Sequence, residues 1–104
     1  MMIELTEDNL QQVVKDNDKV LVQYGATWCG NCRLIKPKFK RLAGENESIA
    51  FVYVDAEKFP ESRGMAEVNN LPTFAAFSNG SLLRQQAGSK SEILTEMIDA
   101  LTNN

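Results

Sequence analysis

A chain of 104 residues, 43% of them hydrophobic and 24% charged, has the size and composition of one compact domain with a single core. A net charge of −3 argues against a dedicated nucleic-acid binder, and two cysteines are too few for a disulfide-dense secreted scaffold. The apolar runs fall short of the roughly 18 residues a membrane span needs, and Met1-Met2-Ile3-Glu4-Leu5 lacks the pattern of an export signal. One domain over residues 1–104 in a reducing cytoplasm is therefore expected.

Met2 to Leu5 is predicted as a short strand and Glu7 to Lys15 as a helix, with Leu10, Val13 and Val14 at i, i+3, i+4 on its buried stripe. Asp16-Asn17-Asp18 is a turn. Lys19 to Gly25 is too short and too uniformly apolar for a surface helix and suits a strand covered on both faces. From Arg33 to Leu42 a helix buries Ile35, Phe39 and Leu42, and Pro37 inside it removes a backbone donor and should kink it. Ile49 to Val54 is a second buried strand, and Glu61 to Val68 a short helix weakened by Gly64. Thr73 to Phe77 and Leu82 to Gln86 form a hairpin across Ser78-Asn79-Gly80-Ser81, because Asn-Gly favours the tight turns that match strand twist. Ser89-x-x-Glu92 has the pattern of a capping box opening the last helix, which buries Ile93, Leu94, Met97, Ile98 and Leu101. The order β-α-β-α-β-α-β-β-α predicts an α/β fold: a three-layer α/β/α sandwich, a mixed five-stranded sheet between four helices.

The two cysteines, Cys29 and Cys32, are spaced Cys-x-x-Cys at the junction of the buried strand and the second helix. That spacing suits a dithiol that cycles with a disulfide, or half of a four-ligand metal site. With no histidine, one chain cannot complete a sulfur–nitrogen zinc set, so a zinc or cluster site would need carboxylates or a second chain. The redox reading needs only what is present. Cys29 at the helix start meets free N–H groups and the positive end of the helix dipole, which favours its thiolate, while Cys32 lies one turn further in. Arg33 and Lys36 add positive charge nearby, although a basic cluster with Lys38, Lys40 and Arg41 also reads as a solvated helix face. Trp28 is either a packing residue or an apolar wall beside the thiol, and Pro72 taken alone is an ordinary trans turn proline.

Taken together, Trp28-Cys29-Gly30-x-Cys32, Pro37, Leu71-Pro72-Thr73, the Asn79-Gly80 turn and Gly88 resemble the thioredoxin pattern over essentially the whole chain. The resemblance implies a thiol–disulfide oxidoreductase that reduces protein disulfides, with Cys29 as nucleophile, Cys32 as resolving cysteine and a redox disulfide between them. It makes Pro72 a cis-proline facing the pair and Leu71 a backbone partner for an extended substrate. Trp28, Gly30, Asn31, Leu71 and Gly88 would line the docking surface. No bound cofactor or metal is expected. An NADPH-fed flavoprotein, a reductase like that of thioredoxin, is the implied partner, along with disulfide-containing proteins; nucleic acid and membrane are not. With no apolar helix face left over, a monomer is expected. The rival readings are a thioredoxin-like binding subunit with incidental redox activity, and a disulfide donor or isomerase.

Four positions depart from the family pattern. Gly30-Asn31 replaces the commoner Gly-Pro, and the added N–H and amide of Asn31 are expected to favour the Cys29 thiolate and make the couple more oxidising. Gln23 stands in place of a buried Asp and Phe51 in place of its nearby Lys, so proton removal from Cys32 has no carboxylate to use. Gly25 replaces an aromatic residue, which is expected to loosen the packing behind Trp28.

Overall fold

Six of the seven residues of Lys19–Gly25 are buried, and this segment is the centre of the molecule. Its even-numbered side chains, Val20, Val22 and Tyr24, pack on one side with Leu10 and Val14. Its odd-numbered Leu21 faces the other side, among Ile35, Phe39, Phe51, Phe74 and Met97. A strand with both faces covered alternates between two cores rather than between core and water.

The computed structural model describes residues 1–103. In chain order they form β1 (Met2–Glu4), α1 (Leu10–Asp16), β2 (Lys19–Gly25), α2 (Gly30–Glu45), β3 (Ala50–Asp55), α3 (Pro60–Arg63), β4 (Thr73–Ser78), β5 (Ser81–Ala87) and α4 (Ser91–Thr102). The sheet order is β1-β3-β2-β4-β5. β1, β3 and β2 run parallel, while β4 is antiparallel to both β2 and β5. The core around α2 and α4 is built on aromatic contacts, with the Phe39 and Phe51 ring centroids 5.1 Å apart and those of Phe39 and Phe74 6.0 Å apart. Each such ring contributes roughly 1.5–3 kcal/mol by leaving water.

The element order and the mixed sheet match the expectation; several boundaries do not. α1 begins at Leu10 rather than Glu7, because Asp8 turns away to accept hydrogen bonds from the amides of Glu61 and Ser62 at 3.0 and 2.7 Å. That carboxylate caps α3 from across the fold. The helix predicted over residues 61–68 is one turn, Pro60–Arg63, closed by Gly64, whose N–H reaches Pro60 O. Arg63 then folds back to donate to Val68 O at 2.8 Å. No capping box forms at α4: Lys90 is the N-cap residue and makes no side-chain cap hydrogen bond. α2 runs unbroken through Pro37 and buries Ala43, with Leu42 only partly covered. Ile98 is likewise only partly buried. The hairpin turn holds as expected, with Asn79 and Gly80 both at positive φ (51° and 87°). The β4–β5 ladder is bulged between Ala76 and Phe77, and Leu82 and Leu83 are two-fifths exposed on the edge strand, most of which is exposed.

Candidate active site

β2 ends at Gly25, and four residues later Cys29 opens α2 at the carboxyl edge of the sheet, where reactive groups of such folds collect. Cys29 is itself the N-cap. Its Sγ accepts a hydrogen bond from the Cys32 amide at 3.1 Å, and its carbonyl accepts from Arg33 N at 3.2 Å. A sulfur therefore occupies the position that an Asp or Ser oxygen usually takes at a helix start. An amide aimed at the sulfur, together with the helix dipole, stabilises negative charge there once the thiolate forms. Cys29 and Cys32 are joined as a disulfide, their Cα atoms 5.3 Å apart. Cys29 keeps 5% of its surface in solvent and Cys32 none, which is the shielding order expected from one turn of helix.

The surround is mixed in origin. Leu71 packs on Ala26, Cys29 and Cys32, although it lies about forty residues away in sequence. The Leu71–Pro72 bond is cis, not the trans form that Pro72 alone suggests. Pro72 O accepts from Gly88 N at 2.9 Å, tying the loop before β4 to the end of β5. Gly88 sits at φ +130°, and a Cβ there would come within 3.0 Å of Ile93 Cδ1, so the position suits only glycine. Trp28 is 63% exposed, which removes the core-packing reading. A groove of about 330 Å³ runs between it, Arg63, Asn70 and Leu71.

The polar groups expected to support the Cys29 thiolate hold other partners or none among the described residues. Arg33 donates to Thr27 O at 2.8 Å, and Lys36 pairs with Glu4 while lying over the Tyr53 ring, 4.1 Å from its centroid. Neither cation makes a hydrogen bond to a cysteine sulfur. Asn31 is exposed, and its side chain makes no hydrogen bond to Cys29. The space at Gly25 itself is filled. A Cβ on Gly25 would collide with the Tyr53 hydroxyl and lie 2.9 Å from its Cζ, so the ring of Tyr53 fills the space that an aromatic at position 25 would need. Burial, with help from Asp55 and Glu4, raises the Tyr53 phenol above its ordinary pKa, so it is neutral at pH 7.

Below the pair, Gln23 is fully buried and donates from Nε2 to Cys32 O at 3.2 Å. Phe51 belongs to the aromatic core and brings no charge. Leu34, which the sequence analysis did not single out, is 79% exposed one turn beyond Gly30 and lines a shallow hollow with Lys38, Ser89 and Ser91, not the groove beside Trp28. It breaks the buried spacing of Ile35, Phe39 and Leu42, and an apolar side chain off that stripe was the available signal. Among the described residues, no group of three or more His, Cys, Asp or Glu side chains is placed to hold a metal ion.

A family model described as Thioredoxin matches residues 1–100. The chain belongs to the thioredoxin family. It is 33% identical over 82 residues to the thioredoxin of Gallus gallus, covering 79% of this chain and 78% of that one. It is similar in structure to the oxidised form of mitochondrial thioredoxin 3 from Saccharomyces cerevisiae, with a TM-score of 0.87, 29% identity, and 96% and 95% of the two chains covered. Reduced Schistosoma mansoni thioredoxin pre-protein gives a TM-score of 0.88 at 34% identity over 96% and 97%. As a thioredoxin-family member the chain is a thiol–disulfide oxidoreductase, and its cysteine pair stands at disulfide distance.

Proposed function

We propose that this thioredoxin-family chain reduces disulfides in other proteins, with Cys29 as the attacking thiol and Cys32 as the resolving one. The observation that carries the reading is the amide of Cys32 donating to Cys29 Sγ at the start of α2, with Cys32 fully buried behind it. The Cys29 thiolate attacks one substrate sulfur, forming a mixed disulfide and releasing the other sulfur as a thiolate that takes up a proton. Cys32 gives up its proton and attacks Cys29 Sγ, which releases the second substrate thiol and closes the Cys29–Cys32 disulfide. Two electrons pass to the substrate. The second attack is intramolecular, so its effective concentration far exceeds that of any free thiol.

The docking surface in this reading is Trp28, Leu71 and Gly88. Leu71 supports it doubly: its side chain covers the cysteines, and its N–H and C=O are taken up by no hydrogen bond among the described residues, leaving them for an extended substrate segment. Gly30, Asn31, Gln23 and Pro72 tune the pair. Asn31 acts through its backbone N–H, which a proline would remove. Asn31→Pro is expected to lower the reduction potential by up to about 30 mV, roughly 1.4 kcal/mol. Equilibration of both proteins with one dithiol buffer measures this, and an equal or higher potential in the variant contradicts it.

The oxidised form is recharged by a reductase of the NADPH–flavoprotein class, and the chain works as a monomer in a reducing compartment, the cytoplasm by default. Insulin reduction driven by dithiothreitol tests the function. The natural chain is expected to accelerate precipitation of the insulin B chain, and the Cys29→Ser, Cys32→Ser double variant to leave it at the uncatalysed rate; equal acceleration by both would remove the reading.

A further inference from the structure

Gln23 is the fully buried polar side chain next to the redox pair, and only half of its amide is used. Nε2 donates to Cys32 O at 3.2 Å, but no group among the described residues donates to Oε1. The sheet register explains why. Gln23 stands opposite Tyr53 on β3 and Phe74 on β4, so its lateral neighbours are rings. The one hydroxyl among them, on Tyr53, lies over Gly25 instead. A buried carbonyl-type acceptor without a donor is a destabilising feature that a fold keeps only where something offsets it.

One group beside this amide changes its hydrogen-bonding capacity during the redox cycle. In the disulfide, Cys32 Sγ carries no proton and donates nothing. Reduction by a dithiol delivers two electrons and two protons, breaks the S–S bond and leaves Cys32 with an S–H, which is a donor. Gln23 is already anchored on the main chain of that same residue. We propose that Gln23 is a redox-selective positioning residue: Nε2 holds the Cys32 carbonyl in both states, and Oε1 accepts the Cys32 thiol proton only in the reduced state. The unpaired oxygen then belongs to the oxidised protein alone. Gln23 therefore biases the couple toward the dithiol and keeps the resolving sulfur protonated until the mixed disulfide has formed. A carboxylate could take that proton away; an amide can only hold it in place. The inference rests on the oxidoreductase reading and adds to it what sets the balance between the two forms.

The test uses Gln23→Met, which keeps length and volume but has no acceptor oxygen. Equilibrated with dithiothreitol, the variant is expected to hold about tenfold less dithiol relative to disulfide than the natural chain, a fall of about 30 mV. A purely structural role would lower stability without moving this ratio, and an unchanged ratio overturns the proposal. In the Cys29→Ser background, where Cys32 is the sole thiol, its S–H stretching band is expected at lower frequency with Gln23 than with Met. Should the Met variant not fold, the Cys29→Ser band is compared with that of an alkanethiol in hexane, and coincidence of the two overturns the proposal. A pair that never exchanges with dithiothreitol would instead remove the oxidoreductase reading itself, and this inference with it.

Discussion

A Gln23→Asp variant is expected to lose up to about 4 kcal/mol of stability at pH 7 and to recover most of the charge-dependent part on acidification. The position is fully buried beside Phe74, with Phe51 in the same core. The two cations near the start of α2 are committed elsewhere, Lys36 to Glu4 and Arg33 to Thr27 O. A carboxylate placed here has no partner, so it stays protonated instead of ionising. The cost of holding it neutral at pH 7 is about 3 pH units above an ordinary aspartate, at about 1.4 kcal/mol each, which gives the ceiling. The sign follows: a carboxyl whose folded pKa is raised binds more protons in the native state than in the unfolded one. Stability therefore falls as pH rises above about 4, opposite to the usual behaviour of a paired carboxylate. Urea unfolding of both proteins between pH 4.5 and pH 8 measures the effect. Equal stability at pH 7 would mean that water reaches this site.

Gln23 also marks the boundary between what the sequence carried and what it did not. That it interrupts the buried run Val-Leu-Val-Gln-Tyr was plain, and so was the lack of a lysine at Phe51. That half of its amide would be anchored on Cys32 and the other half left unpaired depends on the rotation of α2 over the sheet, which no local pattern encodes. The strands and the Asn79-Gly80 turn were legible because their chemistry is local: buried runs for β2 and β3, positive φ for the turn. The helix starts were not. Ser89 and Glu92 have the right types for a capping box, yet α4 opens at Ser91 behind Lys90. Asp8 lies inside the helix expected from Glu7, yet its carboxylate is drawn to the amides of α3, more than fifty residues away. The same holds at the site. Cys29 at a helix N-terminus followed from the buried strand before it and the helical spacing after it, but that Arg33 would bind Thr27 O and Lys36 would pair with Glu4 over the Tyr53 ring did not. The space beside Gly25 is taken by Tyr53 from another strand, a long-range contact that no local pattern encodes.

The largest functional effects are expected at the cysteines, and they differ in kind. Cys29→Ser removes the nucleophile, because a serine hydroxyl does not attack a disulfide, and disulfide reduction should fall to the uncatalysed rate. Cys32→Ser leaves the attacking sulfur at the start of α2 and removes only the thiol that releases the product. Turnover is lost there too, but the first step survives. The hydroxyl of a serine at position 32 cannot attack a disulfide, so the mixed disulfide accumulates in place of product.

That difference makes one measurement decisive: the intact mass of each single-serine variant after incubation with a disulfide-containing protein, quenched in acid. With Cys29 as the attacking thiol and Cys32 as the resolving one, Cys32→Ser should appear as a covalent one-to-one adduct that dithiothreitol reverses, and Cys29→Ser as unmodified chain. Adducts on Cys29→Ser, or none on Cys32→Ser, would contradict the assignment.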